Sequence, residues 1–326
     1  EMAGIRDVAV YAGVGVGTVS RALNKTGYVS EETRKKIDEA VKALNYQPNE
    51  MARNLYRNRS GIIGVIVPDL ENPFFAKFMK YTEMELYRYG YRAVVCNTVE
   101  ISNRVEEMIH LMEKNVLDGL IVGVDPPDEK ILKRLKKPVV SMDRNWGEKV
   151  PVITSDSKKG GRLIAERIME SGCRNILMIE GRTYIRQPFE ERGKGVKQIL
   201  REHGISVILA EIEWNVLSYE YYAQMVEKYL DLFDDVDAVY AGDLLAVACM
   251  AVAEKRGIQI PEELKIIGYD GLDIGKFVNP PLTTVKQNIP QMAKCCVDTI
   301  MHLLDGDTEI EMKQICDVEL IKGGTM

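Results

Sequence analysis

The sequence has few of the residues from which enzymes and metal sites are usually built. Only three of its 326 residues are histidine, and His110, His203 and His302 show no metal-ligand spacing. The six cysteines form no Cys-x-x-Cys pair, so they indicate neither a zinc site nor a redox motif. A nucleophile with an adjacent base is also lacking. We therefore expect no enzymatic activity, no cofactor, and no catalytic or metal-binding residue.

Long apolar segments are also scarce. No apolar run approaches the roughly 18 residues that cross a bilayer, and the first residues lack the basic and apolar regions of an export signal. We therefore expect a cytoplasmic protein. Hydrophobic residues make up 46% and charged residues 28% of the chain, which is ordinary globular composition. A chain of this length is expected to form two or three folding units.

Charge is distributed unevenly along the chain. Residues 1–60 contain ten Lys/Arg and seven Asp/Glu, whereas the remainder contains 33 basic and 42 acidic residues. The first segment therefore carries +3 and the remainder −9. A basic module joined to an acidic body is typical of a protein that contacts nucleic acid with one end only.

The basic segment has the pattern of three short helices. Gly13 ends the first helix, the second begins near Gly17 or Thr18, and Ser30 caps the third. So short a connection between the first two helices predicts a sharp corner. The apolar positions at helical spacing are Ile5, Val8, Ala9 and Ala12, then Val19, Ala22 and Leu23, then Ile37, Ala40, Val41 and Leu44.

The segment has two features that fit other interpretations. Gly13, Gly15 and Gly17 resemble a dinucleotide-binding loop, but Thr18 stands where the third glycine of that motif belongs and no βαβ unit follows. A three-helix module that binds a protein is compatible with the composition. The basic charge and the corner spacing favour DNA.

The motifs of the segment resemble those of the lac and galactose repressor family. They read I-R-D-V-A, A-G-V, T-V-S-R-A-L-N, V-S-E-E-T-R and A-L-N-Y-Q-P-N. The resemblance implies that the second helix lies in the major groove and that a short hinge helix enters the minor groove. The implied DNA-binding residues are Val16, Gly17, Thr18, Ser20, Arg21 and Asn24, with Ala52, Arg53 and the wedge residue Leu55 in the hinge. Gly15 departs from the family's usual serine, which thins the expected base readout.

From Gly61 the chain alternates near-continuous apolar strands with amphipathic helices, in two successive series. This pattern predicts two doubly wound lobes with parallel sheets. The family resemblance continues here in D-L-E-N-P-F-F, L-D-G-L-I-V, D-S-K-K-G-G and I-G-Y-D-G, and implies a body like that of periplasmic sugar-binding proteins. The expected domains are a headpiece (1–47), a hinge (48–60), an N-terminal lobe (61–157 with 288–318) and a C-terminal lobe (158–287 with 319–326).

A small effector is expected to bind between the lobes, beyond the carboxyl ends of the strands. By the resemblance, its contacts are Phe74, Asp143, Arg186, Arg192, Trp214, Asp243 and Asp270. Carboxylate and guanidinium groups suit sugar hydroxyls, and an aromatic face suits the C–H side of a sugar ring. Trp214 is the first candidate for stacking and Trp146 the second, although Trp146 also suits core packing.

We therefore expect a homodimeric transcription repressor of carbohydrate utilisation that binds double-stranded operator DNA under the control of a sugar or sugar-derived effector. Three alternatives stay open: a purine-type repressor, a catabolite-control regulator with a protein corepressor, and a sugar-binding protein without a regulatory role. Asp298 argues against the second, because it stands where such relatives carry a basic residue for a phosphorylated partner.

Overall fold

The computed structural model describes residues 3–24, 27–46, 59–99, 103–181, 190–213 and 216–326. The chain forms two compact units, Glu1–Ser60 and Gly61–Met326. None of the described helices is long and apolar enough to cross a lipid bilayer. The predicted fold class is confirmed: an all-α N-terminal unit precedes an α/β body with two sheets.

Three helices make up the described part of the first unit: α1 (Ile5–Ala12), α2 (Val16–Asn24) and α3 (Glu31–Ala43). Gly13 ends α1 in the left-handed region, at φ 65°, as predicted. Helix α2 begins slightly earlier than predicted, because the backbone N–H groups of Thr18 and Val19 donate to the Gly15 carbonyl oxygen at 2.8 and 3.2 Å. The Ser30 hydroxyl accepts from the Thr33 backbone N–H and caps α3.

The three apolar stripes close one small core. Val8, Val19 and Ile37 are fully buried there, one from each helix. The Arg34 guanidinium donates to the Ala22 carbonyl oxygen at 3.1 Å, which ties α3 to α2. The short corner between α1 and α2 and the third helix beneath them define a helix-turn-helix unit.

The body contains two six-stranded sheets. The first has the order β11-β5-β4-β3-β1-β2 and the second β12-β10-β9-β8-β6-β7. All pairings are parallel except that of β12 with β10. The first sheet consists of β1 (Ile62–Val67), β2 (Arg92–Asn97), β3 (Gly119–Val122), β4 (Val139–Met142), β5 (Val152–Ser155) and β11 (Lys313–Cys316). The second consists of β6 (Asn175–Gly181), β7 (Ser206–Ile212), β8 (Ala238–Tyr240), β9 (Lys265–Asp270), β10 (Thr283–Gln287) and β12 (Val318–Ile321).

Helices cover both faces of each sheet, as near-continuous apolar strands require. The helices are α4 (Pro73–Arg88), α5 (Arg104–Glu113), α6 (Glu129–Leu132), α7 (Ser157–Glu170), α8 (Glu190–Glu202), α9 (Tyr219–Leu232), α10 (Asp243–Arg256) and α11 (Ile289–Asp305), with a 3-10 turn at Asp273–Lys276. On the first sheet α4 and α11 share one core, and α5 packs into the core of the opposite face. On the second sheet α7 and α8 lie on one face and α9 and α10 on the other.

The chain passes between the two sheets three times. It leaves the first sheet after β5, returns after β10 to form α11 and β11, and crosses again at Asp317 between β11 and β12. The Ser155 hydroxyl donates to the Gln287 side-chain oxygen at 2.5 Å, so the ends of β5 and β10 are joined. The crossings therefore form one hydrogen-bonded region between the lobes.

Candidate functional sites

Helix α2 presents a polar outer surface on the first unit. Val16, Gly17 and Arg21 are exposed, whereas Val19 and Ala22 face the core. The Arg21 guanidinium donates to the Gly17 carbonyl oxygen at 3.3 Å and to the Thr18 hydroxyl at 3.4 Å. An exposed arginine beside two residues with small side chains has room to reach the edge of a base pair.

The remaining candidates of α2 lie one turn apart. The Asn24 amide donates to the Ser20 hydroxyl at 3.3 Å, and both side chains are partly buried. The hinge candidates Ala52, Arg53 and Leu55 lie outside the described residues.

A cavity of about 340 Å³ lies in the body, between the carboxyl ends of strands from both sheets. The first lobe contributes Phe74 and Asp143, and the second contributes Arg192 and Asp270. The structure thus brings four of the predicted effector residues together around one space. Arg186 and Trp214 lie outside the described residues.

Asp243 is not among the residues that line this cavity, and the prediction for it needs correction. Its carboxylate is fully buried and accepts hydrogen bonds from the Leu272 backbone N–H and the Thr284 hydroxyl, both at 2.6 Å. Burial, followed by repulsion from Asp270, raises its pKa. Asp243 therefore fixes the loop that follows β9.

Asp143 follows β4 in the left-handed region, at φ 54°. The Thr154 hydroxyl donates to its carboxylate. Burial raises the pKa of Asp143, although the Thr154 hydrogen bond and the Arg144 guanidinium act in the opposite direction. Its carboxylate is therefore held in one orientation at the cavity wall.

Arg192 lies opposite, over the face of an aromatic ring. Its guanidinium carbon is 4.0 Å from the centroid of the Tyr269 ring. Burial alone lowers the pKa of Arg192, but attraction to Tyr240, Tyr269 and then Asp270 raises it overall. The guanidinium therefore stays charged although Arg192 is partly buried.

Asp270 ends β9 at φ 118°, beside Arg192. The Gln287 amide donates to its carboxylate at 2.7 Å. Burial raises the pKa of Asp270 to about 6, against the lowering effect of Arg192 and the Gln287 hydrogen bond. A carboxylate, a guanidinium and an amide thus converge on one side of the cavity, an arrangement that suits vicinal hydroxyls.

Closely packed glycines support this side of the cavity. A Cβ atom on Gly161 of α7 would lie 2.5 Å from the Arg192 carbonyl oxygen, and one on Gly160 would lie 2.6 Å from the Tyr269 hydroxyl oxygen. A side chain on Gly193 would overlap the Glu180 carboxylate. The glycines of D-S-K-K-G-G therefore let α7 approach the segment that carries Arg192.

Several cavity residues were not identified from the sequence, among them Glu180, Tyr240 and Gln287. Each lies at or near the carboxyl end of a strand of the second sheet. A polar residue that closes an apolar strand is a signal for such positions. Trp146 instead belongs to the core of the first lobe, where it is 3% exposed and its indole N–H donates to the Val124 carbonyl oxygen at 2.8 Å.

No group of three or more His, Cys, Asp or Glu side chains within the described ranges has a geometry that could hold a metal ion. The described geometry therefore gives two candidate sites of different chemistry. One is the exposed surface of α2, and the other is the polar cavity within the body.

Comparison with known proteins accounts for both units. Residues 4–49 match the bacterial regulatory proteins of the lacI family, and residues 165–326 match the periplasmic binding protein-like domain. The chain is 36% identical over 289 residues to the ribose operon repressor of Halalkalibacterium halodurans, which covers 88% of this chain and 86% of that protein. It is 32% identical over 310 residues to the sucrose operon repressor of Streptococcus mutans, with 93% of each covered.

Similarity extends to a third named repressor and to solved structures. The repressor PurR of Photobacterium profundum is 32% identical over 309 residues, with 92% of each chain covered. The crystal structure of the Lac repressor dimer bound to operator and an anti-inducer aligns with a TM-score of 0.84 at 25% identity. That alignment covers 100% of this chain and 99% of the other.

The chain belongs to the lacI family of bacterial regulatory proteins. It is a DNA-binding transcription regulator with an effector-binding body, which confirms the resemblance seen in the sequence.

Proposed function

We propose that the protein is a cytoplasmic, homodimeric repressor of a carbohydrate-utilisation operon, controlled by a small sugar or sugar-derived effector bound between its lobes, and that it has no enzymatic activity. The observation that carries this proposal is the convergence of Asp143, Arg192 and Asp270 on one cavity. Relatives named as ribose and sucrose operon repressors support a carbohydrate effector.

In the proposed complex α2 lies in the major groove. Arg21 is expected to contact a guanine, Val16 and Gly17 to lie against base edges, and Thr18 and Ser20 to contact phosphates. Asn24 is placed at the end of the same surface. The hinge residues Ala52, Arg53 and Leu55 are proposed to enter the minor groove, where a leucine wedge bends the duplex.

In the cavity, Asp143 and Asp270 are proposed to accept hydrogen bonds from sugar hydroxyls and Arg192 to donate to their oxygens. Phe74 supplies an apolar surface for the ring, and Arg186 and Trp214 complete the set. The proposed domain limits are 1–47, 48–60, 61–157 with 288–318, and 158–287 with 319–326.

Regulation then follows from linkage. If the sugar and the operator prefer different arrangements of the lobes, each ligand changes the affinity of the other by the same factor. A coupling free energy of about 1–3 kcal/mol changes affinity roughly 5- to 150-fold. We expect the change in lobe arrangement to occur at the region where the ends of β5 and β10 are joined by the hydrogen bond between Ser155 and Gln287.

The test is gel retardation of fragments from the protein's own promoter region, with and without pentoses, hexoses, disaccharides and purines. A sugar that changes retardation of one fragment, and that has no effect on the Asp270→Asn variant, is the expected result. A response to purines alone would replace the sugar with a purine effector, which the PurR relatives favour. A shift that requires a phosphorylated protein partner would instead indicate catabolite control. The Asp298 carboxylate, which accepts from the Tyr89 hydroxyl at 2.9 Å, argues against a phosphate contact there.

A further inference from the structure

Cysteine side chains meet beside the crossings between the lobes. Cys295 and Cys296 lie on α11, and Cys316 is the last residue of β11. Cys296 and Cys316 are buried in the same core, and the partly exposed Cys295 packs against it. Cys295, Cys296 and Cys316 therefore belong to one cluster of thiols in the first lobe.

The register of helix on strand gives an independent reason for this proximity. The Gln314 amide of β11 donates to the Thr299 hydroxyl of α11 at 2.9 Å. Cys316 lies two residues after Gln314, on the same face of the strand. Cys295 lies one turn before Thr299, on the same side of the helix. Helix α11 begins at one lobe crossing and β11 ends at another, so the helix runs antiparallel to the strand. Both steps therefore lead in the same direction and by a similar length of about 6–7 Å.

The surroundings of the two thiols differ. Cys295 is partly exposed, and the Gln291 amide donates to its Sγ at 3.2 Å. Burial, followed by the neighbouring Cys295, raises the pKa of Cys316 to about 12. Cys295 is therefore the thiol that meets an oxidant first, and Cys316 is its resolving partner.

We propose that Cys295 and Cys316 form a peroxide-sensitive thiol pair whose disulfide links α11 to β11 at the hinge between the lobes. In the first step the Cys295 thiol reacts with hydrogen peroxide to give a sulfenic acid and one water. In the second, Cys316 Sγ attacks Cys295 Sγ, an S–S bond forms, and the hydroxyl leaves as a second water with the thiol proton. Two thiols are oxidised and one peroxide is reduced.

The link joins two segments that lead into lobe crossings. Helix α11 begins directly after the crossing at Gln287, and Cys316 precedes the crossing at Asp317. Cys316 also pairs in register with Ser155, whose hydroxyl contacts Met292 Sδ at 3.2 Å. Oxidation is therefore expected to hold the crossing segments at a fixed spacing. The consequence for operator control rests on the proposed function, but the thiol chemistry does not.

The test treats the full-length folded protein with hydrogen peroxide and maps its thiols by mass spectrometry of a non-reducing digest. We expect the loss of two of the six thiols, a Cys295–Cys316 cross-linked peptide, and full recovery with dithiothreitol. Cys295→Ser is expected to prevent the loss. In Cys316→Ala, Cys295 is expected to be trapped as a sulfenic acid by dimedone.

The matched control is Cys249→Ala, which removes a buried thiol from the second lobe and is expected to leave the cross-link unchanged. A cross-link between chains or between Cys295 and Cys296 would overturn the proposal, as would the absence of thiol loss under conditions in which free cysteine is oxidised.

The expected effect of the disulfide on the segments that cross between the lobes is tested by hydrogen exchange. Amides of 288–289 and 317–318 are expected to exchange more slowly in the oxidised protein, and unchanged exchange would refute it. Neither measurement needs DNA or sugar, so failure here is distinct from failure of the proposed function.

Discussion

The guanidinium carbon of Arg192 lies 4.0 Å from the centroid of the Tyr269 ring, and the ring itself is fully buried. The aromatic face therefore supports a partly buried cation that also borders the cavity. Because Tyr269 is in β9 and Arg192 in α8, this contact fixes the helix against the sheet at the cavity wall.

Replacing the ring should change effector binding through Arg192. In Tyr269→Leu the guanidinium loses its aromatic support, and a cation–π contact is worth about 0.5–2 kcal/mol. We expect the sugar affinity, measured by calorimetry, to fall roughly 2- to 30-fold, which corresponds to that free energy. Tyr269→Phe keeps the ring face and is expected to bind sugar nearly as well as the unchanged protein. Equal losses in both variants would show that the hydroxyl, and not the ring, supports Arg192.

Asp270 should make sugar binding depend on pH. Its raised pKa of about 6 means that the carboxylate gains a proton as the pH falls from 7 to 5. If the charged form accepts the sugar hydroxyls, affinity should fall about tenfold over this range. Titrations at several pH values check this, with Asp270→Asn as the control that binds weakly and without this dependence.

The same group should affect stability with the opposite sign. Because folding raises the pKa of Asp270, its contribution to the free energy of unfolding is fully present below about pH 4 and is lost as the pH rises through about 6. The stability of the sugar-free protein relative to Asp270→Asn should therefore decrease between pH 4 and pH 7. Urea unfolding at each pH measures this difference. An increase over the same range would mean that Asp270 is stabilised as a carboxylate.

The close approach of α7 to α8 predicts a sharp contrast between two glycines. Gly161→Ala places a methyl group against the Arg192 carbonyl oxygen, and such overpacking typically costs about 1–3 kcal/mol. Gly195, in α8, has open space around it, so Gly195→Ala should stabilise the protein by about 0.5–1 kcal/mol through helix propensity. Thermal unfolding of the two variants tests this. Similar effects at both positions would contradict the packing described here.

Periodicity and strand composition were sufficient for the architecture. The apolar stripes that contain Val8, Val19 and Ile37 predicted a single small core. The alternation of apolar strands and amphipathic helices after Gly61 predicted the two mainly parallel sheets. The start of α2 was placed late, because a glycine at the cap position gives no side-chain signal. Long, periodic patterns are informative, whereas helix ends depend on backbone hydrogen bonds that the sequence does not display.

The composition of the cavity was less accessible from sequence. Asp243 and Asp270 both follow strands, yet only Asp270 lines the space, because Asp243 accepts two hydrogen bonds behind the loop. Glu180 was missed because its position depends on the absence of a side chain at Gly193, ten or more residues away. Which side chains line the cavity depends on contacts between residues that are distant in the sequence, and the local sequence pattern does not show these contacts.

The central claim is that α2 reads the operator while a separate cavity in the body binds the effector. The most direct measurement compares Arg21→Ala with the unchanged protein, in promoter retardation and in sugar calorimetry. We expect Arg21→Ala to lose about 1–3 kcal/mol of discrimination for the operator and to bind sugar with unchanged affinity. Loss of both operator binding and sugar binding in Arg21→Ala would contradict the account. It would also be contradicted if the protein without substitutions bound no DNA duplex at low salt.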